Sequence, residues 1–218
     1  MEKKIIARKI QAHQDDSALM ADLERYQQQA LELGASAAQI IAANNVVIDD
    51  RVRLKCAVPR CHLYGESANC PPYTPAPEEM RRILSNYAYG VIFKHNVEPV
   101  ADFAHGEQWH RGHMKQQRKS SDVASGIEAL AYNDGYYFAV GFGAGGCKTT
   151  FCGGQICGFL DSGRCRFPLR SRPSMEAVGI DVFKTITQIG WDVYPIAHKD
   201  VELDSIKCAV SIGIVFIN

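Results

Sequence analysis

Seven of the eight cysteines of this 218-residue chain fall in two short windows, 56–70 and 147–165. The first reads Cys56-(x4)-Cys61-(x8)-Cys70, and the second Cys147-(x4)-Cys152-(x4)-Cys157-(x7)-Cys165. Eight cysteines are roughly 4% of the chain, below the ~8–10% typical of a disulfide scaffold. A chain of this length can build an ordinary hydrophobic core without staples. The thiols are therefore expected to serve chemistry rather than folding. The N-terminus, Met1 to Lys9, has no long apolar stretch and no small-residue cleavage site, so no secretory signal is expected. A reducing, cytoplasmic setting follows, where clustered thiols are more often metal ligands or redox groups than disulfides.

Composition narrows the function further. Lys and Arg number 24, as do Asp and Glu, so the net charge is zero. That argues against nonspecific nucleic-acid binding as the main task. The longest apolar run, Cys208 to Ile217, is about half of the ~20 residues a membrane span needs. No membrane role is expected. Cys208 itself reads as a buried core thiol, since free cysteine behaves as a small hydrophobe.

Periodicity places the windows in a mixed α/β (α+β) frame. Leu19, Leu23, Tyr26, Ala30 and Leu33 recur at helical spacing after a capping Asp15, Asp16 or Ser17, with Gly34 as a stop. Residues 39–41 and 46–48 are β-prone, 78–87 is a short helix and 90–95 a buried strand. Residues 107–120 and 121–134 read as helical, and 136–142 as a second strong strand. Met175, Val178, Val182, Phe183, Ile186 and Ile189 share one helical stripe. Residues 192–196 and 206–216 look like an antiparallel last pair. A single domain spanning 1–218 is expected, with a mixed sheet flanked by helices. Two Cys-rich loops, 51–77 and 143–173, would hang from it. The first carries one Gly and five Pro; within 141–165 there are eight Gly.

Convergence of thiolates on one point needs a backbone that bends back on itself, which glycine permits. Such loops also turn amide N–H groups inward, offsetting negative charge. Cys70-Pro71-Pro72 has the Cys-Pro form of ferredoxin-type loops. Structural zinc usually draws on paired C-x2–4-C hairpins. No C-x2-C occurs here, although the x4 gaps stay within range. Iron–sulfur clusters accept more varied spacing, and Gly-rich surroundings suit a bulky cluster. The leading expectation is a [4Fe–4S] protein with Cys147, Cys152, Cys157 and Cys165 on one cluster. Cys56, Cys61 and Cys70 would hold a second, its fourth position open or taken by His62, water or substrate. A single cluster drawing on both windows is the rival arrangement. The function would be electron transfer with a redox partner protein, or reductive chemistry on a small-molecule substrate. The alternatives are a zinc-stabilised interaction module and a thiol-redox protein.

The residues also resemble a family. Cys56, Cys61, Tyr64, Gly65, Cys70, Pro71 and Pro72 match its C-x4-C-x-x-Y-G-x4-C-P-P pattern. Gly143-Ala144-Gly145, Cys165-Arg166-Phe167-Pro168, Arg172 to Ala177 and Gly179 to Val182 are similar in its second half. The family is that of predicted metal-binding proteins catalogued as domain of unknown function 2284. The resemblance implies metal binding, with an iron–sulfur cluster as the usual expectation, and supplies no substrate or reaction. The gaps of four among Cys147, Cys152 and Cys157 depart from two-residue gaps in the family. Cys157 and Cys165 are therefore the closer matches.

Other groups are weighed against blander roles. His110 and His113 share a helix face and could bind a metal, but a polar surface is the default. Lys115, Arg118 and Lys119 extend a basic stretch that could dock an acidic partner. Arg164, Arg166, Arg170 and Arg172 flank Cys165; they could raise a cluster's potential or bind an anion, or simply form salt bridges. Ser174 is a candidate helix cap. Gly65 permits a turn, and Tyr64 packs over the loop. No G-x4-G-K-[ST], H-E-x2-H or G-x-S-x-G occurs.

Overall fold

A computed structural model describes residues 6–10, 15–104, 109–196 and 201–218. Its centre is a four-stranded sheet in the order β1-β2-β4-β3, where β1 is Ala37–Ala42, β2 Tyr89–Asn96, β3 Val140–Phe142 and β4 Val210–Phe216. Every pairing is antiparallel. The mixed sheet expected from sequence is thus an antiparallel one, because hydrophobic pattern marks strands without fixing their direction.

Helix α1 (Asp16–Glu32) and helix α5 (Trp109–Asn133) cover one face. Asp15 caps α1 by accepting from the Ser17 N–H, and Leu19, Leu23, Tyr26 and Ala30 form its buried stripe. Val123, Ala124, Ile127 and Ala131 do the same for α5, meeting Val91, Phe93 and Val215 of the sheet. The two helical stretches expected over 107–134 are one helix where they are described.

The opposite face is covered by α3 (Pro77–Leu84), α8 (Val182–Gln188) and the 3-10 turn Glu176–Val178. Met80, Leu84, Met175, Ile180 and Ile186 pack there against Ile92, Ile214 and Phe216. The stripe from Met175 to Ile189 is therefore two elements. Gly179, at φ +86°, breaks it, and Ile180 forms a β-bridge with Ile48. The break turns Phe183 outward, leaving it 55% exposed.

Four further expectations change. Residues 192–196 are not a strand, and the edge of β4 before Ile214 stays unpaired on the β3 side. Of 136–142 only Val140–Phe142 pairs, with Tyr136 buried and Tyr137 and Phe138 exposed. Of 46–48, only Ile48 bridges. Cys208 precedes β4, is half-buried, and lies 3.6 Å from the Asp192 carbonyl. It is not a fully buried core thiol. Among the described residues no helix is long and apolar enough to cross a membrane.

A polar knot ties α1 to the end of α5. Asp22 and Asp134 are each 6% exposed. Arg25 Nη2 donates to both, at 2.7 and 2.5 Å. Arg8 pairs with Asp22 at 2.7 Å, and the Tyr136 and Tyr26 hydroxyls donate to Asp22 and Asp134. Burial alone would push the Asp22 carboxyl up, but bonds from Arg25, Arg8 and Tyr136 outweigh it and hold it below its usual value. A depressed carboxylate stabilises the fold above its unfolded pKa of about 3.9 and loses that contribution as pH falls through the folded value. Asp22→Asn should cost about 1.5–3 kcal/mol at neutral pH. In urea titrations at several pH values, the gap to wild type should narrow below about pH 4.

Candidate metal centre

The first window is less irregular than its prolines suggest. Asp49 accepts from the Arg51 N–H at 2.9 Å and starts α2 (Asp50–Ala57), so Cys56 rides on the last helical turn. None of the α2 residues is buried, which is why no apolar stripe announced the helix. Cys61 N–H donates to the Cys56 carbonyl and Tyr64 N–H to that of Cys61, both at 3.0 Å. Gly65, at φ +77°, makes the turn, and its N–H reaches Pro71 O at 2.8 Å. His62 stays exposed. The loop closes where Thr74 Oγ1 donates to Ala177 O at 2.8 Å.

The second window is pinned at its base, where Gly143 and Pro173–Met175 exchange backbone hydrogen bonds. Between them lie two short helices, α6 (Cys147–Cys152) and α7 (Gly158–Ser162). Cys147 and Cys152 are the two ends of α6, and Cys157 directly precedes α7.

The two windows meet. Ser67 Oγ lies 3.3 Å from Cys147 Sγ, and Asn69 Nδ2 donates to the same sulfur at 3.4 Å. Lys148 pairs with Glu66 at 2.9 Å. A Cβ on Gly146 would overlap Leu63, and one on Gly145 would overlap Gln117. Gly146 thus lets the second loop settle onto the first, and Gly145 lets it pack against α5.

Electrostatics follow the same geometry. Burial pushes the Cys70 thiol up to about 12, with the nearby charges of Cys147, Cys61 and Cys56 adding to the rise. Cys56 is raised by burial, then by Cys61 and Glu176. Burial also raises Cys147; Ser67 and Asn69 oppose the rise, while Cys157 and Cys152 add to it. Cys157 is the exception. Burial pushes it up, but backbone N–H groups of Ala68, Leu160 and Phe159 outweigh that and lower it. Ala68 belongs to the first loop, so this sulfur too spans both windows. Cys165 lies instead beside Ser171 Oγ at 3.3 Å and accepts from the Phe167 N–H. The thiols of Cys56, Cys61, Cys70, Cys147, Cys152 and Cys157 therefore form one array joined at Cys70 and Cys147. All eight cysteines are free thiols. Among the described residues, no three His, Cys, Asp or Glu side chains stand close enough to hold a bare metal ion.

The arginines near Cys165 mostly make salt bridges or backbone contacts. Arg170 holds Asp122 at 2.6 Å, Arg172 holds Glu128 at 2.6 Å, and Arg166 donates to Ile156 O. Ser174 Oγ accepts from the Ala177 N–H within the 3-10 turn, but it does not cap the helix that follows; Asp181 caps α8. His113 stacks on Phe103 with centroids 4.2 Å apart; the His110 side chain lies outside the described residues. Sequence reasoning missed Ser67, Ala68 and Asn69 as partners of the sulfurs, and it missed Glu176. Their only signal was position, between Cys61 and Cys70 or after the Arg-Pro-Ser run.

The model for the family described as predicted metal-binding protein, domain of unknown function 2284, matches residues 39–216. The chain belongs to this family of predicted metal-binding proteins. No curated protein and no solved structure matched it.

The thiol order is testable on metal-free, reduced protein. Thiolates alkylate and thiols do not. Cys157, lowered by three amides, should react with iodoacetamide at lower pH than Cys147 or Cys70. Cys70, near 12, should react last. Peptide mass spectrometry across pH 6–10 reads the order.

Proposed function

We propose that the two loops together hold an iron–sulfur centre, with Cys56, Cys61, Cys70 and Cys147 as one [4Fe–4S] ligand set. Cys152, Cys157 and Cys165 are left for a second. The observation that carries this reading is the meeting of Cys70 and Cys147 at Ser67 and Asn69. Four thiolates are the usual complement of such a cluster, and the donor set suits soft metals. The thiols of the two windows are close enough to raise one another's pKa. Buried thiols that repel one another's charge are relieved when a metal keeps them deprotonated.

When bound, such a centre accepts and donates single electrons, so the proposed function is electron transfer or reduction of a small molecule. The chain's own groups tune the site. Donors to ligand sulfurs, here Asn69 to Cys147 and three amides to Cys157, stabilise thiolate charge and raise the reduction potential. Leu63 and Gly146 keep the loops in register.

Protein purified without oxygen should be brown and contain iron and acid-labile sulfide, with visible absorption that bleaches on reduction. Cys70→Ala and Cys147→Ala should each lose the same cluster, and Cys165→Ala should retain it. Stoichiometric zinc with neither iron nor sulfide contradicts the proposal and supports the zinc-stabilised module.

A further inference from the structure

β3 ends at Phe142, opposite Ile214, so β4 runs on past it. Beside Val210–Ile212, which β3 leaves unpaired, lies a cavity of about 280 Å³, closed by α5 on one side and α8 on the other. Its walls include the flat rings of Phe103, Phe183 and Tyr194. Ala144 and Gly145 of the second cysteine loop form part of its lining.

The polar residues of its lining are His113, Gln117, Glu176, Tyr194 and Ser211, with no Lys or Arg among them. Glu176 lies where the cavity joins a larger cleft beneath α2 and α8. Glu176 is exposed as a residue, but burial of its carboxyl pushes that group up, and Ser174 donates to it. Ser211 also lines the cavity; it is 3% exposed, and its hydroxyl has no partner among the described residues. A buried polar atom left unpaired is costly, and a ligand or water at the site would satisfy it. Glu176 is also near enough to Cys56 for its charge to raise that thiol. The cavity therefore backs onto the cysteine array.

We propose that this cavity is a small-molecule site serving the cysteine centre, and that it takes a flat, uncharged ring with a lactam edge. The apolar walls take the ring faces, and the size limits the ligand to one or two rings. The Glu176 carboxyl accepts from the N–H of the lactam, and the Ser211 hydroxyl donates to its C=O. A ligand carboxylate would lose its hydration here and meet no Lys or Arg in the lining, so it is disfavoured. The proposal rests on the reading above only for what the site serves; binding does not depend on which metal the thiols hold.

The test uses the full chain as purified, with 2-pyridone and benzoate as probes in ligand-observed NMR. 2-Pyridone should bind saturably with Kd about 1 mM, the range so small a ligand reaches. Benzoate should bind at least about tenfold more weakly. Glu176→Ala and Ser211→Val should each weaken 2-pyridone at least about tenfold, and Glu176→Ala should keep wild-type iron content. No saturable binding, or benzoate binding as well as 2-pyridone, overturns the proposal. So does binding that is unchanged in both variants. The probe comparison needs only unaltered protein, so it decides even if a variant does not fold. Saturable 2-pyridone binding to a chain that, purified without oxygen, holds zinc and neither iron nor sulfide supports the cavity and contradicts the iron–sulfur reading instead.

Discussion

The contact between Ser67, Asn69 and the Cys147 sulfur is the interaction on which the site depends. It joins two loops separated by about eighty residues, and it brings thiols from both into one electrostatic field. Without it the chain would carry two unrelated cysteine clusters. The approach is possible because Gly146 has no side chain to meet Leu63. It is reinforced by Lys148 on Glu66 and by the Ala68 amide on Cys157.

The scaffold holds that contact by fixing both loops to one place. Thr74 closes the first loop on Ala177, and Gly143 closes the second on Pro173–Met175. Both anchors belong to the segment around the Glu176–Val178 turn, where Met175, Ala177 and Val178 are buried under the sheet. That segment also places Glu176 next to Cys56. Packing, loop geometry and the chemistry of the centre therefore share one short stretch of chain. Asp22 and Asp134 secure the other face, away from the thiols.

Much of this was legible in the sequence because it depends on local pattern. The Cys windows, the stripes of α1 and α5, and strands β1, β2 and β4 all follow from spacing. What was not legible depends on context. The helix carrying Cys56 has no buried face, so its cap at Asp49 was its main signal. The break at Gly179 interrupts an otherwise continuous stripe, and only the Ile48–Ile180 bridge explains it. Within the site, the spacing supplied the ligand candidates but not their grouping. Cys147 reads as the first of four in sequence, and in space it neighbours Cys70 as well as Cys152 and Cys157. Arg170 and Arg172 looked like a charged rim until their acidic partners on α5 were in view.

The most direct test of a centre shared by both loops is anomalous diffraction at the iron edge, from crystals grown without oxygen. The account predicts a strong iron peak within bonding distance of both the Cys70 and the Cys147 sulfurs. An iron peak bound by the cysteines of one window alone, or a zinc-edge signal in its place, would contradict it.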